Sequence, residues 1–153
     1  MRALLLVLVL AALAPLEAGA GICLRVEAGG GPGAAFPVAE GEEVRLAFRH
    51  SLYGSPVEET FRVTAEGFRL VRLRYGEERL VEFYGHEGAR REGDWWVVET
   101  GGPTRGSLVL RASPESHVRV TLGPRRIALG EGVEPGRRVR LAVAACGEAG
   151  HGR

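Results

Sequence analysis

Lysine, asparagine and glutamine are absent from all 153 residues, and Asp94 is the single aspartate. Loss of the thermolabile amides fits a hot environment, but hyperthermophilic chains gain lysine, so a GC-rich coding bias explains the pattern equally well. Charge of one sign is missing too. The formal net charge is +1, and Arg2 and Glu17 cancel within residues 1–20, so removing that segment leaves the balance unchanged. No general electrostatic attraction to nucleic acid or to an anionic membrane follows from it.

Long apolar runs are lacking after Ala20, and the run before it, Ala3–Ala14, is too short to cross about 30 Å of hydrocarbon as a straight helix. With Arg2 ahead of it and Ala18-Gly19-Ala20 behind, it reads as a secretory signal cut after Ala20. Pro15 and the glycines that follow argue against a buried N-terminal helix. Only Cys23 and Cys146 remain after it, with no metal-type cysteine spacing. Ile22 stands where a lipidation signal takes a small residue, which argues against an anchor on Cys23. In an oxidising compartment the two cysteines are a candidate disulfide. The alternative is that both are buried small hydrophobes. The expected organisation is a signal peptide over 1–20, one β domain over 21–146 and a flexible glycine-rich tail over 147–153.

What the chain has in quantity is glycine, 23 residues, between short β-type runs at about ten-residue intervals. The expected strands are 22–28, 35–39, 43–49, 58–64, 68–75, 79–84, 95–100, 107–112, 117–122 and 137–144, with a shorter one over 126–129. Val44, Leu46 and Phe48 alternate with Arg45, Ala47 and Arg49. Val139, Leu141 and Val143 do the same against Arg138 and Arg140, the mark of sheets with one wet face. Ala65-Glu66-Gly67 and Gly76-Glu77-Glu78 read as hairpin turns, and Gly29–Gly33 as a turn rather than a phosphate loop, because no helix follows it. No amphipathic helix of ten or more residues is expected. The class is all-β: a single antiparallel sandwich or barrel-like domain of about ten short strands.

One polar cluster stands out. Strand parity carries Val44, Leu46 and Phe48 on to His50, which then points inward, with Ser51 outward. On the following strand Glu59 shares the inner parity of Phe61 and Val63, and Glu58 faces out. A loop over 51–56 would let His50 and Glu59 meet on one face. A half-buried carboxylate beside an imidazole is costly unless the two satisfy each other. Three readings follow. The pair closes one end of the sheet through loop hydrogen bonds; or it floors a pocket for a metal or small anion, with His86 and Glu87 as further contributors; or it is catalytic. Against the last, Ser51 points away from His50 and no Gly-x-Ser-x-Gly elbow is present. The four histidines show no helical ligand spacing. Of Trp95 and Trp96, adjacent on one strand, one belongs inside and one at the surface.

The stretch Leu46–Val63, with His50-Ser51, a short loop and Pro56-Val57-Glu58-Glu59 before a strand, resembles the domain of unknown function 1850 family of small exported bacterial proteins. Gly85-His86-Glu87-Gly88-Ala89 corresponds loosely to a later family segment. Members are often encoded beside tripartite TAXI-type uptake systems. The resemblance implies a non-enzymatic periplasmic accessory module that presents His50, Ser51, Glu58, Glu59 and His86 to a transporter component or a small-molecule or ion ligand. No cofactor is implied. The rivals are a small hydrolase with His50 as base and Glu59 orienting it, and a purely structural envelope domain.

Overall fold

The computed structural model describes residues 21–28, 33–129, 134 and 136–147. Within them lie twelve strands and one short helix: β1 (Ile22–Ala28), β2 (Ala34–Val38), β3 (Glu43–Arg49), β4 (Pro56–Thr64), β5 (Gly67–Tyr75), α1 (Glu78–Phe83), β6 (Arg90–Glu92), β7 (Trp95–Glu99), β8 (Thr104–Arg105), β9 (Ser107–Ala112), β10 (Arg119–Leu122), β11 (Arg125–Ala128) and β12 (Arg137–Ala145). The fold is all-β and sandwich-like. A four-stranded sheet runs β2-β1-β12-β9, and an eight-stranded one runs β11-β10-β3-β4-β5-β7-β6, with β8 also paired to β5. Every pairing is antiparallel.

The inner residues of the two sheets make the first core: Leu24 and Val26 of β1, Val44 and Leu46 of β3, Phe61 and Val63 of β4, Val139 and Leu141 of β12 among them. Arginines alternate outward, as the period of two dictates. The large sheet extends beyond the small one. There α1 covers it, burying Leu80 and Val81 against Val57, Leu73, Tyr75 and Val98 as a second core.

A β-bulge joins the two. Register between β4 and β5 shifts at Thr60/Phe61, so that Phe61 faces Leu70 but Thr60 faces Arg72, and Val71 is the extra residue. Phe68 and Leu70 on one side of it, Leu73 and Tyr75 on the other, thereby reach the same inner face. A regular strand would turn Tyr75 outward. Gly67 is fixed by close approach: a Cβ there would lie 2.2 Å from the Arg105 carbonyl oxygen, where β8 crosses, and its φ is +138°.

Most expected strands stand within one or two residues of their expected ends, with β8 and β6 in addition. The exception is 79–84, which is helix rather than strand, so Gly76-Glu77-Glu78 forms no hairpin. Six residues carry both periods: Leu80, Glu82 and Tyr84 alternate with Val81 and Phe83, but Leu80 and Tyr84 also stack at helical spacing. Gly85, at φ +67°, decides for the helix. Its N–H donates to Glu82 O and the next, of His86, to Val81 O, a complete Schellman stop. Cys23 and Cys146 are disulfide-bonded, Cα to Cα 5.1 Å, which fits an oxidising extracytoplasmic compartment. Among the described residues no helix is long and apolar enough to cross a membrane. The segments expected to be a signal peptide (1–20), a glycine turn (29–32) and a tail (148 onward) lie outside the described residues.

Candidate functional site

His50 sits just past β3 and is buried, as parity requires. Its N–H donates to Ser55 O and its carbonyl accepts from Gly54 N–H, closing the β3–β4 loop around it. Nδ1 accepts from the backbone N–H groups of Leu52 and Tyr53 at 3.3 and 3.4 Å. With Nδ1 an acceptor, the neutral ring carries its proton on Nε2. Around the ring lie aromatic side chains: Tyr53 stacked at 5.2 Å, Phe83 edge-on at 5.4 Å and Tyr84 edge-on at 5.8 Å.

These contacts fasten the loop to α1. Ser55 Oγ donates to the Glu77 carboxylate, Glu77 pairs with Arg79, and the Arg79 guanidinium lies 4.5 Å from the centre of the Tyr53 ring. The Ser55 hydrogen bond, and then Arg79, hold the Glu77 carboxyl below its ordinary range. Behind Tyr84, Tyr75 stacks at 5.6 Å, and its hydroxyl lies 2.8 Å from His86 Nε2. Burial raises the Tyr75 phenol well above its ordinary range, so the hydroxyl keeps its proton in this contact. His86 thus buttresses Tyr84 from behind and does not face the same space as His50.

The expected meeting of His50 with Glu59 does not occur. Glu59 does lie on the inner face, but it pairs with Leu46, while the row Phe48/Val57 intervenes before His50. Four residues along a strand separate the two rows, about 13 Å. The loop starts at His50 and ends at Ser55, so β4 runs two residues longer at its start than the sequence suggested and carries Glu59 away from the mouth. Glu59 instead occupies the seam between the two cores, flanked by Leu46 and Leu73. Burial raises its carboxyl, with Arg105 pulling in the opposite sense, and among the described residues no side chain donates a hydrogen bond to it. Its charge in turn raises the Tyr84 phenol, after burial. Glu58 faces outward, as expected, and is paired with Arg74. Ser51 is exposed in the loop.

Between the free edge of β9 and Tyr84 a half-open cavity of about 460 Å³ reaches down to Leu46. Its buried and half-buried lining is Phe48, His50, Leu110, Ser116 and Val118, and its exposed rim carries Arg49, Ser51, Val109 and Arg111. Two of the large apolar side chains exposed among the described residues line it, Val109 at 59% and Tyr84 at 46%, and Phe83, at 52%, lies edge-on to Tyr84. Exposed apolar side chains grouped at a concavity mark an interaction site, whereas scattered single residues do not. The sequence pointed to His50 and Ser51 here. It gave no hint of Arg111, Val109 or Tyr84, which lie on other elements and meet only through the fold. Trp96 packs into the second core, whereas Trp95 lies on the opposite face under Arg74, 4.4 Å from its ring centre.

Among the described residues no three of His, Cys, Asp and Glu converge as metal ligands. No family model, curated protein or solved structure matches the chain.

Proposed function

We propose that this chain is a non-enzymatic periplasmic binding module whose ligand enters the gap between β9 and the C-terminal end of α1. The observation that carries the reading is the cavity of about 460 Å³, lined mainly by Leu46, Phe48, Leu110 and Val118 and bearing Arg49 and Arg111 at its exposed rim. Small-molecule sites have this size and this distribution of polarity. Export rests on the signal-like segment 1–20 and on the disulfide. The place beside a tripartite TAXI-type uptake system rests on the resemblance of Leu46–Val63.

A hydrolase has no comparable support. The lone pair a general base would use is engaged by the N–H groups of Leu52 and Tyr53, and Glu59 is too far away to orient the ring.

Native mass spectrometry of the exported protein, compared with Val109→Trp, tests the reading. Val109 is exposed at the mouth, so the larger ring narrows the entrance without disturbing either core. The expected result is a small molecule released from the wild-type protein on denaturation and missing from the variant, with a mature chain beginning at Gly21. Identical ligand-free masses for both proteins would leave the structural envelope domain as the better account.

A further inference from the structure

The chemistry of the cavity narrows what it holds. Two arginines, Arg49 and Arg111, stand at its mouth and no carboxylate lines it. Several other arginines are paired within the fold: Arg62 with Glu43, Arg72 and Arg90 with Glu99, Arg74 with Glu58, Arg140 with Glu27. Arg49 donates one bond to Gly54 O, and neither it nor Arg111 has an acidic partner among the described residues. The contrast is clearest against the groove on the outer face of the large sheet. That groove is smaller, about 190 Å³, and two carboxylates line it, Glu43 and Glu99, already facing its Arg62 and Arg72.

We infer that the cavity takes a free monocarboxylate with an apolar tail, its head at the mouth beside Arg49 and Arg111 and its tail over Leu46, Phe48 and Leu110. The inference rests on the binding-module reading above and adds the ligand's class. A guanidinium gives up its hydration more readily than an ammonium and offers a planar fork that matches a carboxylate, so unpaired arginines bordering apolar surface suit this head group. Leu46, at 1% exposure, lies at the bottom, where a second charge on the ligand would meet only hydrocarbon and the nearby Glu59. A dicarboxylate is therefore disfavoured, as is a cationic ligand at the arginine-bearing mouth.

Calorimetric titration of the exported, disulfide-bonded protein with decanoate, 1-decanol and succinate tests this. Decanoate is expected to bind at least about tenfold more tightly than either of the others, the loss expected when one charge-assisted contact or the tail is missing. Arg111→Met, an exposed position, is expected to weaken decanoate about tenfold and to leave 1-decanol unchanged. Arg49 also braces the loop, so Arg49→Met is read only together with its melting temperature, and Arg111→Met carries the test by itself. Succinate binding as tightly as decanoate, or decanoate affinity surviving Arg111→Met, overturns the inference. So does binding to phosphatidylglycerol vesicles with none to dissolved decanoate, which would put the anion in a bilayer. A ligand found by mass spectrometry and excluded by Val109→Trp, but neutral or cationic, sinks this inference and keeps the binding module. No ligand and no decanoate binding sinks both.

Discussion

Two regions share one face of the large sheet and are built on different terms. Under the small sheet, the buried side chains are Leu, Val, Phe and Ala throughout, drawn from β1, β3, β4, β5, β9, β10 and β12. Under α1, the same sheet carries a smaller core, Val57, Leu73, Leu80, Val81 and Val98 around Tyr75, bordered by the rings of Tyr84, His50 and His86. The first region is closed by strands from both ends of the chain and by the Cys23–Cys146 bond. The second is closed by six residues of helix, held by the Ser55–Glu77–Arg79–Tyr53 contacts and a Schellman stop. Apolar contacts summed over many long-range strands secure the fold. The aromatic region, with little area to bury and polar tips to satisfy, is where a gap can persist at small cost.

The comparison breaks first at its strongest side. Phe68 is fully buried in the first core, edge-on to Phe61, and Phe68→Ala is expected to cost about 3–5 kcal/mol in urea unfolding. Leu80 is just as buried, but α1 can come away from the sheet without unfolding it, and that limits the loss. Leu80→Ala is expected to cost about 2 kcal/mol, to expose the amides of 78–86 to hydrogen exchange, and to leave those of β1 and β12 protected. If the two variants cost the same and β1 and β12 exchange together with α1, the regions are one cooperative core and the distinction fails.

The same contrast explains what could be read from the residues alone. The first region obeys one rule, alternation, and β1, β3, β9 and β12 follow from it with nearly correct ends. His50 inherits its inward direction from that rule. The second region mixes rules. Val71 adds a bulge that only the spacing Phe68, Leu70, Leu73, Tyr75 betrays, and Gly85 stops a helix too short to show its own period. Glu59 was placed on the correct face but at the wrong row, because parity gives direction and not distance along the strand. The cavity was illegible for another reason. Arg49, Tyr84 and Arg111 are far apart in sequence and converge only because β9 is the edge of the small sheet and α1 ends opposite it.

The smallest effect is expected at the seam itself. Burial raises the Glu59 carboxyl above its ordinary 4.5, so the folded protein holds that proton more tightly than the unfolded chain. A group of this kind contributes most below pH 4.5 and loses its contribution as pH rises through the raised value, because the ionised form must then stay in the seam. Glu59→Gln keeps the shape and removes the charge. The variant should match wild type at pH 4 and exceed it at pH 8 by about 1 kcal/mol, the scale of one imperfectly satisfied buried polar group. Urea midpoints of both proteins at pH 4, 6 and 8 measure the difference. A variant less stable than wild type at pH 8 would mean that Arg105 outweighs burial, and Glu59 would then belong with the paired surface charges. A gain that grows with pH would show that ionised Glu59 costs stability in the seam, across the strand pair from Leu46.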